Sequence, residues 1–219
     1  MKLAVFDVDG TLVDSQHHIH GAMSRAFEEA GQAPLPRAEV LGIVGLSLPV
    51  AVARLAPGCD ADTQARIVAG YRQAFTAARL IETAPLYDGA LACLDRLAAR
   101  DDLLLAVATG KSRRGLLAMI EAHRLDGRFV SLQTADAHPS KPAPDMLLAA
   151  LADAGVAARA AVMIGDTSFD IEMARAAGTA GFGVSWGYHP PEALHAAGAA
   201  LVAADFAALA DAVEDWADG

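Results

Sequence analysis

The first residues of this chain constrain its fold more than any other stretch. A run of four apolar residues, Leu3–Phe6, leads directly into Asp7 and Asp9, and Gly10 with Thr11 then breaks the run. Such a run is long enough for a buried parallel strand, and a glycine commonly ends one. In an open α/β sheet the carboxyl ends of the strands form the binding crevice. The sequence therefore predicts that two carboxylates leave the end of a buried strand together and face a ligand.

Two later apolar runs also end in polar side chains. Leu103–Ala108 is followed by Thr109, and Ala160–Ile164 is followed by Asp166, with Asp170 about one helical turn further on. Taken singly, each pattern is also typical of ordinary helix capping. Because the carboxyl ends of parallel strands meet at one edge of a sheet, these groups are predicted to share one crevice.

Charge also points to a ligand at this edge. At their spacing Asp7 and Asp9 repel each other unless a cation or a shared proton compensates, which indicates either Mg²⁺ binding or acid–base chemistry. The alternative is a solvated turn. Lys141 precedes two prolines that suit the first turn of a helix, and it is either solvated or neutralises these carboxylates.

The order of the elements predicts an α/β fold. Strand-like apolar runs alternate with alanine-rich helical stretches, which is typical of βα units and a mostly parallel sheet. From about His17 to Glu82 the pattern is helical with turn punctuation and contains no convincing strand. A chain of 219 residues has room for one large domain with an insertion.

The string DVDGTLVDS, from Asp7 to Ser15, resembles the nucleophile motif of the haloacid dehalogenase superfamily of phosphohydrolases. The family's other three motifs are matched in order at Thr109, Lys141 and the stretch Asp166–Asp170. The chain is most similar to phosphoglycolate-phosphatase-like members with a helical, C1-type cap. The resemblance implies a Rossmann-like doubly wound parallel sheet with an inserted all-helical cap. Residues 1–15 and 85–219 would form the core, and residues 16–84 the cap.

The resemblance also implies roles for individual residues. Asp7 would attack phosphorus and form an aspartyl-phosphate, which divides hydrolysis into two easier displacements. Asp9 would protonate the leaving alkoxide and then deprotonate the attacking water. Thr109 and Lys141 would share the negative charge of the phosphoryl group, and Lys141 would also orient the nucleophile.

Mg²⁺ is the cofactor that the resemblance implies. Its ligands would be the Asp7 carboxylate, the main-chain carbonyl of Asp9 and the Asp166 carboxylate, with Asp170 as a nearby or water-mediated ligand. Magnesium prefers oxygen ligands and keeps several waters, which suits this set.

Substrate choice is expected in the cap, which can close over the strand ends and exclude water. The candidate specificity segment is Gly42–Leu48, and it is notably apolar. Arg54, Arg72 and Arg79 are either solvated helix charges or side chains that reach the substrate.

A phosphatase acting on a small phosphorylated metabolite, such as 2-phosphoglycolate, a sugar phosphate or a nucleotide, is the function that these motifs favour. A leaving alkoxide needs a proton and a halide does not, so Asp9 argues for phosphate esters over haloacids. Two alternatives stay open: a β-phosphoglucomutase-like transfer on a sugar phosphate, and a non-enzymatic phosphoryl switch resembling a receiver domain. Asp9 and the cap insertion argue against the switch.

Composition limits the partners. The formal net charge of −10 disfavours nucleic acid and anionic membranes. No stretch approaches the roughly 18 apolar residues of a membrane span, and the apolar part of the N-terminus is too short for a secretory signal. We therefore expect a cytoplasmic protein, as a monomer or homodimer.

The clustered histidines and the two cysteines are given no functional role. The imidazoles of His17, His18 and His20 lie close in sequence, but a structural zinc site needs four ligands and no cysteine pair completes one. Cys93 is expected in the core on an amphipathic helix and Cys59 in a turn, both as free thiols.

Overall fold

A computed structural model describes all residues, Met1–Gly219. It contains a single six-stranded parallel sheet with the strand order β3-β2-β1-β4-β5-β6. The strands are β1 (Lys2–Phe6), β2 (Leu103–Thr109), β3 (Ser131–Thr134), β4 (Ala161–Gly165), β5 (Ala180–Val184) and β6 (Leu201–Ala203). From the central strand β1 the chain adds β2 and then β3 on one side, and it then crosses over and adds β4, β5 and β6 on the other. The α/β, doubly wound, Rossmann-like prediction is confirmed.

Ten α-helices accompany the sheet: α1 (Gln16–Glu29), α2 (Arg37–Leu41), α3 (Leu48–Leu55), α4 (Ala61–Ile81), α5 (Ala90–Ala98), α6 (Arg113–Ala122), α7 (Asp145–Ala154), α8 (Ser168–Ala177), α9 (Pro191–Ala197) and α10 (Phe206–Asp218). A short 3₁₀ turn, Ala158–Ala160, precedes β4. None of the helices has both the length and the apolar composition that crossing a membrane requires.

Both faces of the sheet are covered, as a parallel sheet requires. Successive side chains of β1 alternate between the faces: Ala4 and Phe6 join a cluster of 25 buried apolar residues, whereas Leu3 and Val5 join a second cluster of 14. Each of these four side chains is fully buried. A continuous apolar run is therefore what a central strand of this sheet needs, which is why the first residues predict it.

Helices α1 to α4 (Gln16–Ile81), named here the helical segment, follow β1 without any strand, as predicted. They have a separate cluster of 10 buried apolar residues, built mainly where α1 packs on α4. Met23, Phe27 and Ile67 are among its fully or nearly fully buried members. The helical segment therefore has an apolar core of its own, separate from the two clusters on the faces of the sheet.

Two connections lie side by side where the chain leaves and re-enters the sheet region. The Asp14 N–H donates to the Pro85 carbonyl at 2.9 Å, and the Tyr87 N–H donates to the Leu12 carbonyl at 3.0 Å. An antiparallel bridge joins Val13 to Leu86 between them. The helical segment is thus attached to the sheet through a short paired connection.

The two cysteines lie as expected. Cys93 is buried on α5, and burial raises the pKa of its thiol to about 12. Cys59 is half-buried in the turn before α4, and both are free thiols.

Leu94 on α5 tests the main core. Its side chain is fully buried, whereas Leu91 on the same helix is 42 % exposed. Leu94→Ala should lower the free energy of unfolding by about 2–5 kcal/mol, because it removes buried methyl groups and leaves a cavity. Leu91→Ala should change it by no more than about 0.5 kcal/mol. Urea denaturation of both variants measures this, and equal losses would contradict the assignment of the core.

Candidate active site

The ends of three neighbouring strands form the floor of the site. Asp7 follows β1, Thr109 ends β2 and Asp166 follows β4. All three side chains are almost completely buried, at 1 %, 1 % and 0 % exposure. Since β1 pairs with both β2 and β4, the register of the sheet brings residues together that are more than 100 positions apart in sequence.

Three carboxylates and one lysine form a buried charge cluster. Asp7, Asp166 and Asp170 each offer an oxygen within 4.8 Å of the others. The Lys141 ammonium donates to Asp7 Oδ1 at 2.8 Å and to Asp170 Oδ1 at 2.6 Å, and its side chain is completely buried. The structure therefore brings together four of the residues that the sequence predicts for the site.

The pKa values in this cluster reflect an excess of negative charge. Burial is the main cause that raises the pKa of Asp7 to about 6; Lys141 opposes the rise and Asp170 adds to it. Burial, followed by repulsion from Asp7 and Asp170, raises the pKa of Asp166 well above its ordinary value. For Lys141, burial alone would lower the pKa, but the Asp170 and Asp7 carboxylates raise it above the usual lysine value. One lysine does not balance three buried carboxylates.

Local structure fixes Asp166. The Thr11 hydroxyl donates to its Oδ1 at 2.9 Å, and the Tyr188 N–H donates to its Oδ2 at 2.8 Å. Gly10 approaches the same carboxylate so closely that a side chain there would collide with it, and its φ of 89° is a left-handed conformation that favours glycine. The glycine after Asp9 is thus needed both to turn the chain and to leave room for Asp166.

Asp170 belongs to α8 and has both of its oxygens occupied. Oδ1 accepts from Lys141, and Oδ2 accepts from the Thr167 N–H at 3.1 Å and the Thr167 hydroxyl at 2.7 Å. These bonds place it at the start of the helix as part of a capping box. Asp170 therefore orients Lys141, and it has less freedom to bind an ion directly than Asp7, whose Oδ2 has no partner.

Asp9 makes a different set of contacts. Its Oδ1 accepts from the Ser15 hydroxyl at 2.5 Å, and Lys111 Nζ lies 2.7 Å from each of its oxygens. The Lys111 ammonium also lies 5.0 Å from the centre of the Phe75 ring on α4, a cation–π distance. Lys111 therefore links Asp9 to the helical segment.

Sequence reasoning gave Lys111, Ser15 and Tyr188 no role. A lysine or serine in a turn is usually solvated. The partners of Lys111 and Tyr188 depend on how distant strands are paired, whereas Ser15 bonds to Asp9 within the same motif. The only signal in the sequence is that Lys111 follows Thr109 within a strand-end motif.

The donor set fits a divalent cation such as Mg²⁺. Asp7 Oδ2 is buried and has no hydrogen-bond partner, which is unusual for a carboxylate oxygen. A hard cation beside it and Asp166 would satisfy that oxygen and offset the repulsion that raises both pKa values.

A cavity of about 480 Å³ lies between the strand ends and the helical segment. Asp7, Asp9 and Thr109 line it on one side. The predicted specificity segment lines it on the other, from Ile43 to Leu48, together with one face of α4.

Three contacts hold this loop against the sheet region. The Ser47 N–H donates to the Ser140 hydroxyl at 2.8 Å, and the His189 ring lies 3.1 Å from the Gly42 carbonyl. Gly110 lies so close that a Cβ there would be 2.5 Å from the Gly45 carbonyl oxygen. The loop after Thr109 thus has a glycine because the backbone of the helical segment packs directly on it.

Of the arginines and histidines considered in the sequence, some line the cavity and others pack elsewhere. Arg72 and Arg79 line the cavity, whereas Arg54 packs at 5.3 Å from the centre of the Phe169 ring and does not line it. On α1, His18 packs edge-on against Phe75 at 6.4 Å, and His20 Nε2 lies 3.4 Å from the Leu35 carbonyl.

Comparison with known proteins adds independent findings. Residues 4–184 match the family model of the haloacid dehalogenase-like hydrolases. A phosphoglycolate phosphatase of Rhodospirillum rubrum is 36 % identical over 96 % of this chain and 90 % of that protein. One of Pseudomonas putida is 30 % identical over 100 % of this chain and 82 % of that protein. The crystal structure of a hydrolase from Pseudomonas syringae superposes with a TM-score of 0.87, at 25 % identity, over 98 % of this chain and 99 % of that one.

In EDTA, which removes divalent cations, we expect opposite effects on stability from removing the lysine and from removing one carboxylate of the charge cluster. Lys141→Met should lower the free energy of unfolding by about 3–5 kcal/mol, because it leaves buried carboxylates without their cation. Asp166→Asn should leave stability unchanged or raise it. The amide can keep the contacts to Thr11 and the Tyr188 N–H while removing one repelling charge.

Urea denaturation at pH 8 is the appropriate measurement. The pKa of Asp7 is raised to about 6 in the fold, so at pH 8 the carboxylate is ionised and the folded state bears the full cost of burying its charge. A loss in Asp166→Asn as large as that in Lys141→Met would contradict the charge balance described here.

Proposed function

Because this chain belongs to the haloacid dehalogenase-like hydrolases and is a phosphatase, we propose that it hydrolyses a small-molecule phosphate monoester through an aspartyl-phosphate on Asp7, with Mg²⁺ as cofactor. One observation carries the proposal. Asp7 lies at the floor of the cavity with Oδ1 fixed by Lys141 and with Oδ2 free of any partner. Oδ2 is therefore free for the proposed cation, and Oδ1, which Lys141 orients, keeps a lone pair with which to attack phosphorus.

Asp7 is the proposed nucleophile. The hydrogen bond from Lys141 at 2.8 Å fixes the rotation of the carboxylate. A bond forms from Asp7 to phosphorus as the ester P–O bond breaks, and the leaving alkoxide takes up a proton. Water then attacks the phosphorus of the aspartyl-phosphate, releasing inorganic phosphate and restoring the carboxylate.

Asp9 is the proposed acid and base. It lines the same cavity, and Ser15 and Lys111 hold its carboxylate in place. Asp9 would give its proton to the leaving alkoxide in the first step and take one from water in the second. Thr109, whose hydroxyl accepts from the Lys111 N–H at 3.2 Å, would donate its own proton to a phosphoryl oxygen.

The proposed magnesium ligands are the carboxylates of Asp7 and Asp166 and the main-chain carbonyl of Asp9, with Asp170 nearby. When bound, the ion offsets the repulsion between an anionic nucleophile and an anionic phosphoryl group. Lys141 complements it by holding Asp7 and Asp170.

We propose that residues 16–84 act as a cap on a core formed by residues 1–15 and 85–219. Their separate apolar core and the paired connection at Val13 and Leu86 support a body that moves as a unit. A closed cap would exclude bulk water from the Asp7 carboxylate until a substrate is present.

A β-phosphoglucomutase-like transfer is the alternative for the same nucleophile. It needs a cap that binds a sugar phosphate in two orientations, and the loop from Ile43 to Leu48 offers mainly apolar side chains. The side chains of that loop therefore favour hydrolysis, whereas the arginines elsewhere in the cavity do not decide between the two reactions.

Phosphate release from a panel of esters tests the proposal. The panel contains 2-phosphoglycolate, hexose phosphates and nucleoside monophosphates, each with Mg²⁺ and with EDTA. Wild-type turnover should require Mg²⁺, Asp7→Asn should show none, and Asp9→Asn should lose about 10²–10⁴-fold. Asp126→Asn, an exposed aspartate, is the matched control and should be unaffected.

A metal readout independent of turnover accompanies the panel. Mg²⁺ should raise the Tm of the wild type and not that of Asp166→Asn. Full activity in Asp7→Asn would contradict the proposed nucleophile. A stable phosphoprotein without phosphate release would favour the mutase.

A further inference from the structure

Three arginines of the cavity have no carboxylate partner. Arg72, Arg79 and Arg114 line it, and none takes part in a salt bridge or side-chain hydrogen bond in the structure. In contrast, Arg96 and Arg100 each pair with two acidic side chains. The chain has 27 acidic residues and 17 lysines and arginines, so unpaired arginines gathered in one cavity are not a consequence of excess basic residues.

The arginines lie on both walls of the cavity. Arg72 and Arg79 are seven positions apart on α4, which places them on the same face two turns apart, and Phe75 lies between them. Arg114 lies in the first turn of α6, which follows the strand end at Thr109, and so belongs to the opposite wall. A ligand between the walls can therefore meet guanidinium groups from both.

The acidic groups of the cavity are already engaged. Asp9 pairs with Lys111, and Asp7 is bonded to Lys141. Asp136 accepts from the Arg113 N–H at the start of α6 at 2.6 Å. In the proposed mechanism Thr109 and a bound Mg²⁺ would neutralise the reacting phosphoryl group, so that group does not account for three more cations. Arginine is well suited to bind carboxylate and phosphate oxygens in pairs.

The size and apolar lining of the cavity indicate a larger leaving group than two carbons. Its volume of about 480 Å³ falls within the range of roughly 300–1,000 Å³ that is common for sites of drug-sized ligands. Ile43, Leu46 and Phe75 supply apolar walls between the strand ends and the arginines. A two-carbon ester would leave much of this space filled only with water.

We infer, building on the proposed phosphatase function, that the substrate has a sugar-sized leaving group with a second anionic group, a carboxylate or another phosphoryl, remote from the reacting phosphate. Arg72, Arg79 and Arg114 bind that second group. The apolar walls contact the carbon skeleton between the two ends.

A matched pair of esters tests this. Sorbitol 6-phosphate and 6-phosphogluconate have the same carbon chain and differ only in a hydroxymethyl or carboxylate end. Sorbitol 1,6-bisphosphate presents a second phosphoryl group instead, and 2-phosphoglycolate is the short acid. Binding is measured by calorimetry with the Asp7→Asn protein and Mg²⁺, and turnover with the wild type.

The affinity for 6-phosphogluconate or the bisphosphate should exceed that for sorbitol 6-phosphate at least about tenfold, and whichever is preferred identifies the second group. Arg79→Met and Arg72→Met, which keep the apolar stems, should reduce this ratio to about one. Arg159→Met, an exposed arginine outside the cavity, should not change it.

Equal affinities within the matched pair, or tighter binding of 2-phosphoglycolate than of both 6-phosphogluconate and the bisphosphate, would overturn the inference. If the wild type hydrolyses esters but does not bind those with a second anionic group more tightly, the inference is wrong and the proposed phosphatase function stands. If those esters bind more tightly but no ester is hydrolysed, the proposed function is wrong and the binding site for a second anionic group stands.

Discussion

Three carboxylates are buried next to one another at the ends of β1 and β4 and the start of α8, and Lys141 is the only side-chain cation that touches them. Burying like charges together is costly, because they lose water and repel one another. The surrounding structure is arranged to hold them there. Thr11 and the Tyr188 N–H orient Asp166, and the capping box of α8 orients Asp170. The excess negative charge is what prepares the site for a divalent cation and a phosphoryl group.

The helical segment covers the site on the side opposite the strand ends. Its loop packs on Gly110 and donates a hydrogen bond to Ser140, next to Lys141 in sequence. Its helix α4 brings Phe75 to the ammonium of Lys111, which holds Asp9. The position of the proposed acid is therefore coupled to the position of the helical segment through one lysine.

The sequence predicts the floor of the site well and its walls poorly. Asp7, Thr109, Asp166 and Asp170 follow apolar runs or begin a helix, so their placement is a local consequence of strand ends in a parallel sheet. The contacts of Lys111 and Tyr188 depend on strand order and on the packing of the helical segment, which no local pattern encodes. Arg54 and Arg72 look alike in the sequence, yet only Arg72 lines the cavity, because the choice depends on how α3 and α4 pack together. The fold class was predictable because its apolar runs are continuous and buried on both faces of the sheet.

The most direct measurement is acid quenching of the wild type during turnover, followed by mass spectrometry of its peptides. If Asp7 is the nucleophile, it becomes covalently phosphorylated in each cycle. We expect the peptide containing Asp7 to gain the mass of one phosphoryl group within the first turnover and to lose it when substrate is exhausted. Phosphate release without any phosphorylated peptide, or with the phosphoryl group on His17 or His18, would contradict it.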